Sequence, residues 1–126
     1  MDYSQRSNKK LEKMKIGELS KQTKVSRDTI RFYENKDLLT DISRPYEWNN
    51  YKDYGENNVK RIQIIKYLQR FSFTLSECKV LLDERDASPN NCVDKNSAFK
   101  KKLELIEKQI SELKQTRDAL IALVEE

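Results

Sequence analysis

The chain has 126 residues, enough for one modest domain or for a small domain with an extension. Its 25 basic and 21 acidic residues leave a net charge of +4, which by itself is weak support for a nucleic-acid partner. The sequence has no histidine and no glycine-rich phosphate loop, so we do not expect an enzyme. No stretch is apolar enough to span a membrane or to act as a secretory signal, which predicts a cytoplasmic protein with no membrane partner.

The first helical patterns follow a polar tail, residues 1–13, that we expect to be disordered. One helix is predicted from Ile16 to about Gln22. A second begins after Ser26, whose hydroxyl can cap the free N–H groups of the first turn, and ends near Asn35. Apolar positions let the two helices pack together while basic residues stay outside, which is the layout of a helix-turn-helix. These apolar positions are Ile16, Leu19, Val25 and Ile30.

A short hairpin is predicted between Leu38 and Tyr54, where the helical period is lost and turn-forming and aromatic residues take over. Asn49 and Asn50 can adopt left-handed backbone conformations, which suits the tip of such a hairpin. We interpret the segment as a wing beside the helix-turn-helix. The alternative is an irregular surface loop, which would leave its aromatic and basic side chains without a role.

Two further helices are predicted, over residues 56–71 and from Thr74 to about Glu84. The first has apolar residues on one side and basic residues on the other. Thr74 and Glu77 form a capping-box pattern at the start of the second. Cys78 falls on the inner face of that helix and is predicted to be a buried thiol. Residues 14–85 should therefore form one winged helix-turn-helix domain, all-α apart from the small β wing.

A linker loop is expected at residues 86–95, followed over 96–126 by a helix of about 31 residues, on the order of 46 Å long. Apolar residues recur along it in alternating steps of four and three, the pattern of a coiled coil. Because the stripe continues to the last residues, we predict pairing with a second copy rather than packing against the globular part of the same chain. Arg117 occupies one seam position and needs a carboxylate or water nearby. The other seam positions are Phe99, Leu103, Ile106, Ile110, Leu113, Leu120 and Val124.

Three segments stand in order before the long helix: IGELSKQTKVSRDTIRFYENKDLL, NYKDY and VKRIQIIKYLQRFSFTLSECKVLL. Together, from Lys15 to the C-terminus, they resemble the MerR family of bacterial transcription regulators. The resemblance implies a homodimer of winged helix-turn-helix domains joined by an antiparallel coiled coil. It also implies double-stranded promoter DNA as the partner. Members of the family bend and untwist that DNA once an effector binds, so that RNA polymerase can engage both promoter elements.

The second helix carries the first group of candidate DNA contacts. Arg27, at its exposed start, can donate to base edges or to a phosphate. Thr29 and Arg31 are better placed for the DNA backbone, and Tyr33 offers one hydroxyl. We expect all four side chains on or near the exposed side of the helix.

The wing and the helix after it carry the remaining candidates. By resemblance, the wing contributes Arg44, Tyr51 and Lys52. Lysine replaces the arginine usual in the family at the last position, so this side chain supplies only a point charge. Arg61, one turn into the following helix, is a phosphate candidate. The full predicted set is Lys15, Ser26, Arg27, Thr29, Arg31, Tyr33, Arg44, Tyr51, Lys52 and Arg61.

Cys92 is the candidate for sensing, because the resemblance places it where metal-responsive members carry a cysteine ligand of a divalent metal. A position just before a helix also favours the thiolate that binds soft metals or reacts with oxidants. Three readings stay open. The sequence is part of a longer chain whose continuation supplies further ligands for Zn, Cd, Pb or Hg; or Cys92 alone is a redox or electrophile switch; or it is an ordinary loop cysteine and the effector is different or absent.

Two other functions fit parts of the pattern. An architectural or excisionase-like DNA-bending protein uses the same winged fold with no effector, although such a protein does not need a long dimerisation helix. A protein-interaction module would use the coiled coil to recruit a different partner, and it would retain dimerisation without binding DNA sequence-specifically.

Overall fold

A computed structural model of the chain describes residues 13–46, 48–88 and 95–125. The chain divides into two compact units, Met1–Asn91 and Cys92–Glu126. The described elements are β1 Lys13–Met14, α1 Ile16–Thr23, α2 Arg27–Asn35, β2 Ile42–Ser43, β3 Asp53–Gly55, α3 Asn57–Gln69, α4 Leu75–Ala87 and α5 Lys95–Glu125. The prediction of a mostly helical fold with a small β wing and a long C-terminal helix is confirmed.

The described part of the chain opens with a strand that the sequence did not predict. Lys13 and Met14 form β1, which pairs antiparallel with β3 so that Lys13 lies opposite Gly55. The expectation that Lys13 belongs to a disordered tail is therefore wrong, because its backbone is held in a sheet. The rest of the predicted tail, residues 1–12, lies outside the described residues.

Helices α1 and α2 form the predicted helix-turn-helix. Leu19 on α1 and Ile30 on α2 are both fully buried, as the apolar spacing requires. The turn between them begins at Lys24, which closes α1 in the left-handed conformation with φ 62°. The predicted cap of α2 is confirmed, because the Thr29 N–H donates to the Ser26 Oγ over 3.0 Å.

The wing comprises β2, β3 and the connecting residues 44–52. The two strands pair antiparallel, with Ile42 opposite Tyr54, and β3 lies between β1 and β2. The hairpin is confirmed, but the expected left-handed backbone at Asn49 and Asn50 is wrong, since neither residue has positive φ. Instead, the Asn49 Oδ1 accepts from the Tyr51 N–H over 2.9 Å, so a side chain supports this turn.

Helices α3 and α4 complete the core of the first unit. Ile62 and Ile65 of α3 and Leu82 of α4 are fully buried. The Thr74–Glu77 capping box and the buried Cys78 thiol are both confirmed. Helix α4 continues to Ala87, past the predicted end near Glu84, and α5 already includes Lys95, so the linker predicted at 86–95 is too long at both ends. Residues 89–94 lie outside the described residues.

The described residues of the second unit form a single helix, α5. Its extent, 31 residues, agrees with the prediction. Among the predicted seam residues, Leu103, Ile110, Leu113, Leu120 and Val124 are exposed, whereas Phe99 and Ile106 are half-buried. Within the described ranges, no helix combines the length and the apolar character that crossing a membrane requires.

Candidate nucleic-acid interface

A cleft of about 700 Å³ lies between α2 and the wing, and we name it the basic cleft. Its lining includes one carboxylate, Glu34, against a larger number of cationic side chains. Such a surface attracts polyanions, because cations gathered in one concavity reinforce each other's field. The cationic side chains are Lys15, Arg27, Arg31, Arg44 and Lys52.

Helix α2 contributes Arg27 and Arg31 to the basic cleft. The Arg27 guanidinium lies beside Gly17, where a Cβ would come within 2.9 Å of its Nη2 atom. Arg31 Nη1 lies 3.1 Å from the Asp28 Oδ1. Because this ion pair is exposed and contributes little stability, it can be replaced by a contact with a ligand. Thr29 is half-buried and its hydroxyl lies 2.9 Å from that of Ser26, so these two predicted contacts are partly engaged in capping α2.

Glu34 joins α2 to the wing. Its carboxylate pairs with the Lys52 ammonium and accepts from the Tyr54 hydroxyl over 3.0 Å. Burial, together with the hydrogen bond and the negative charge of Glu34, raises the pKa of Tyr54 to about 12. The sequence interpretation did not single out Glu34, although its position on the same helix as the basic residues places it in their cleft.

The sheet and the wing supply the remaining cations. Lys15 Nζ lies 2.5 Å from the Asp53 Oδ1, which ties the start of α1 to β3. Arg44 Nη2 donates to the Asn49 backbone oxygen over 2.9 Å. Tyr51 is 70% exposed and also lines the cleft. Six of the ten predicted residues thus line the basic cleft, two more form the cap of α2, and the remaining two are buried.

Tyr33 is the first of the two corrections. It is only 6% exposed, so the expectation of an exposed hydroxyl is wrong. Tyr33 follows Ile30 by three residues, and side chains at that spacing share one face of a helix. Burial is the main reason that the pKa of the Tyr33 hydroxyl is raised. This side chain belongs to the core and is not available to DNA.

Arg61 is the second correction, because its side chain is fully buried and not available to a phosphate. Its Nε donates to the Leu38 backbone oxygen over 2.7 Å, and its two terminal nitrogens reach Asp86 at 2.5 Å and Asp83 at 3.4 Å. The pKa of Asp83 is lowered, mainly by its hydrogen bond from Lys79 and also by Arg61, against the opposing effect of burial.

Asn58, which binds the same backbone segment as Arg61, was missed by the sequence interpretation. It is fully buried, its Oδ1 accepts from the Thr40 N–H at 2.9 Å, and its Nδ2 donates to the Thr40 carbonyl at 2.7 Å. Together Asn58 and Arg61 bind the backbone of residues 38–40, the segment that leads from α2 into the wing. The spacing of 58, 61, 62 and 65 on one helical face is the signal that could have identified both as inward-facing.

The described residues do not assemble a metal site. Among residues 13–46, 48–88 and 95–125, no three His, Cys, Asp or Glu side chains are grouped so that they could hold an ion. Cys78 is enclosed in the core of the first unit. Cys92, the predicted sensor, lies outside the described residues.

Comparison with known families and proteins identifies the family of the chain. Residues 14–85 match the family described as "MerR HTH family regulatory protein", and residues 59–123 match "MerR, DNA binding". The chain is 34% identical to the mercuric resistance operon regulatory protein of Serratia marcescens, over 92% of this chain and 78% of that protein. It is 33% identical to the transcriptional regulator CueR of Yersinia pestis, over 90% and 80% respectively.

A solved structure is similar along most of the chain. It is the crystal structure of a transcription regulator from Ralstonia metallidurans in complex with lead(II), 29% identical, with a TM-score of 0.72. The similarity covers 87% of this chain and 84% of that one. The family matches, the relatives and this similar structure all point to a transcription regulator. The chain belongs to the MerR family and is a DNA-binding transcription regulator, not an enzyme.

Proposed function

We propose that the chain acts as a homodimer that bends and untwists promoter DNA in the cytoplasm in response to an effector, and so acts indirectly on RNA polymerase. The observation that carries the dimer is the row of exposed apolar side chains along α5. Following the family resemblance, we propose that the two copies of α5 pair antiparallel. Two copies of the basic cleft would then meet two matching half-sites on the duplex.

The apolar row supports pairing because water covers most of it in a single chain. Leu113 is 68% exposed and Val124 is 82% exposed, near the end of the helix. Side chains at these seam positions are buried when a second helix packs against them, and burial of apolar surface favours association.

Arg117 is the one charged residue in the seam. Its guanidinium donates to the Asp118 Oδ1 of the same helix at 3.0 and 3.1 Å, and both side chains are largely exposed. A pair of this kind can stay at the edge of a helix interface in contact with water. The proposed pairing therefore does not require an unpaired charge in the apolar contact.

For DNA binding we propose roles for the residues that remain accessible. Arg27 is the candidate for base edges, because its guanidinium can donate two parallel hydrogen bonds. Arg31, Arg44, Lys15 and Lys52 are the candidates for phosphates, with Ser26, Thr29 and Tyr51 as neutral contacts to the backbone. Tyr33 and Arg61 are excluded from this proposal by their burial.

For the effector we propose a soft divalent metal ion or a thiol-reactive compound that acts on Cys92. Support comes from the relatives, which include mercuric resistance regulators and a regulator crystallised with lead(II). The described residues supply no cluster of metal ligands, and Cys92 is the proposed point of contact with the effector.

A matched pair of variants tests the dimer. Leu113→Glu places a charge in the seam, whereas Gln115→Glu places the same charge on an exposed position two residues away. We expect sedimentation to show dimers for the parent chain and for Gln115→Glu, and single chains for Leu113→Glu. Single chains of the parent at micromolar concentration would contradict the proposal.

DNA bending and effector response need a separate measurement. A duplex selected by this chain from a random-sequence pool, labelled at both ends, would report bending by energy transfer. We expect Zn, Cd, Pb or Hg ions, or a thiol oxidant, to change the transfer for the parent and not for Cys92→Ser, in which Cys78 still serves as an internal control. Bending that no such addition alters would favour an architectural protein without an effector.

A further inference from the structure

The wing carries an exposed aromatic pair that is not part of the basic cleft. The rings of Tyr46 and Trp48 have centroids 4.8 Å apart and planes inclined by 33°. Tyr46 is 48% exposed and Trp48 is 80% exposed, so water contacts much of both residues. Paired aromatic side chains left in water on a folded domain are typical of a contact surface, because their burial by a partner is favourable.

Hydrogen bonds hold the segment that bears this pair. The Arg44 guanidinium donates to the Asn49 carbonyl over 2.9 Å, which ties together residues on either side of the pair. The Asn49 side chain in turn accepts from the Tyr51 N–H, which fixes the chain as it returns toward β3. A loop closed in the free protein loses less conformational freedom on binding than an open one. The aromatic pair is therefore presented to a partner in a preformed arrangement.

We propose that Tyr46 and Trp48 form a second DNA-contacting surface, which packs against deoxyribose rings of the duplex beside the backbone held in the basic cleft. The inference rests on the proposed function, because it takes the cleft to hold that backbone. Its basis is continuity: Arg44, Tyr51 and Lys52 line the cleft, and the same connection, residues 44–52, carries the aromatic pair. A duplex that the cleft holds would therefore come close to the aromatic pair.

The chemistry of the surface fits the sugar part of the DNA backbone. Deoxyribose offers apolar C–H groups between phosphates, and an aromatic face can cover them without a hydrogen-bonding requirement. In sequence, the connection 44–52 carries two cations, Arg44 and Lys52, and one carboxylate, Glu47, so its positive balance favours a polyanion over an apolar protein surface. We therefore assign the pair to DNA, with a contact that adds affinity but little dependence on salt.

The first experiment uses the intrinsic fluorescence of Trp48, the single tryptophan of the chain. The full chain is titrated with the duplex that it selects from a random-sequence pool, and anisotropy of a dye on the DNA follows binding independently. We expect the tryptophan emission to move to shorter wavelength at saturation, and quenching by acrylamide to fall roughly twofold or more, because DNA covers an exposed ring.

The second experiment separates the aromatic contact from the ionic ones. We expect Trp48→Ala to weaken binding roughly 3- to 10-fold with no change in the slope of log affinity against log salt. Trp48→Phe, which keeps an aromatic face, should retain most of the affinity. Arg44→Gln should instead reduce the steepness of the salt dependence by about one phosphate contact.

The outcomes distinguish this inference from the function on which it rests. Saturable DNA binding with unchanged Trp48 emission and unaltered affinity for Trp48→Ala would overturn the aromatic contact and leave the regulator assignment intact. A change in emission that requires added RNA polymerase, and that DNA alone does not produce, would overturn it in favour of a protein partner. Failure of the parent chain to bind any selected duplex would overturn both.

Discussion

The two units of the chain differ in the exposure of their apolar side chains. In the first unit, Leu19, Ile30, Leu38 and Ile62 are fully buried against neighbouring elements of the same unit. On α5, leucines such as Leu113 and Leu123 are exposed over two thirds of their surface. The surface proposed to read DNA is therefore built within one chain, whereas the exposed apolar face of α5 is proposed to be covered by a second copy.

The basic residues of the first unit show a similar division. Arg61 is buried among a carbonyl and two carboxylates, and no buried side-chain nitrogen or oxygen in the described residues lacks a hydrogen-bond partner. Arg27 and Arg31 remain exposed in the basic cleft. Arginine therefore has two roles in the first unit. The buried Arg61 fixes the path of the chain, and the exposed Arg27 and Arg31 are proposed to bind DNA.

The largest effect is expected for Arg61→Ala. It removes the donor to the Leu38 carbonyl and leaves a cavity, which should lower the free energy of unfolding by about 2–4 kcal/mol. Lys60→Ala, at the exposed neighbouring position, should change it by less than about 0.5 kcal/mol. Urea unfolding followed by circular dichroism measures both. At temperatures where the variant stays folded, its salt dependence of DNA binding should equal that of the parent; a slope reduced by about one contact would restore Arg61 as a phosphate ligand.

Substitution of the two glycines is the next test, because only Gly55 lies too close to a neighbouring residue to accept a larger side chain. A Cβ on Gly55 would collide with the Asp41 carboxylate and lie 2.9 Å from the Asp41 Cβ, and the Gly55 N–H already donates to the Asp41 backbone oxygen over 2.8 Å, so the two residues cannot separate without losing this bond. Gly55→Ala should therefore lower the free energy of unfolding by about 1–3 kcal/mol. Thermal unfolding of the variant beside the parent measures the loss.

Gly17→Ala is the matched control. There the new Cβ meets only the end of the Arg27 side chain, which can move, and alanine suits a helix better than glycine by roughly 0.5–1 kcal/mol. Its stability should be unchanged or higher, with a loss of DNA affinity as Arg27 is displaced. Equal destabilisation by both substitutions would contradict the distinction between a packed sheet and an open cleft.

Local signals in the sequence were sufficient to predict most helices and the hairpin of the first unit. Ser26 before a helical pattern and the Thr74–Glu77 capping box predicted helix starts correctly, because these caps involve residues three positions apart. The helix-turn-helix and the hairpin followed from apolar spacing and turn composition. Two-residue β1 was missed, since so short a strand has no period and is defined only by its distant partner Gly55.

The candidate site was less completely predictable. Most of its exposed cations could be named from their positions, but the roles of Arg61 and Glu34 depend on contacts with residues 18 to 25 positions away. Composition cannot show whether an arginine is buried with carboxylates or exposed to a phosphate. The seam of α5 was visible in sequence because coiled-coil periodicity is local, while the identity of its partner is not encoded in that period.

Tyr54 provides a pH-dependent test of the connection between α2 and the wing. Its pKa of about 12 lies above the ordinary value of 10.0, so between these two values the folded chain holds a proton that the unfolded chain has lost. The free energy of unfolding should therefore fall as pH rises through this range, by on the order of 1–2 kcal/mol. Tyr54→Phe should lack this component, and the difference between the two proteins removes the contribution of the lysines. Identical pH profiles would mean that the Tyr54 hydroxyl is neither buried nor held by Glu34 in the folded chain.

The smallest effect is expected for Ser72→Gly, in the connection between α3 and α4. Ser72 has φ 67°, a left-handed conformation that glycine adopts without strain, so the substitution should raise the free energy of unfolding by about 0.5–1 kcal/mol. Gln63→Gly, at an exposed position inside α3, should lower it by about 1 kcal/mol and calibrates the measurement. If the first unit is self-contained, Ser72→Gly stabilises it and leaves the dimer dissociation constant of the chain unchanged. A parallel shift in that constant would mean that folding of the first unit and pairing of α5 are coupled. Only with such coupling can backbone strain at Ser72 change the association of two chains through α5.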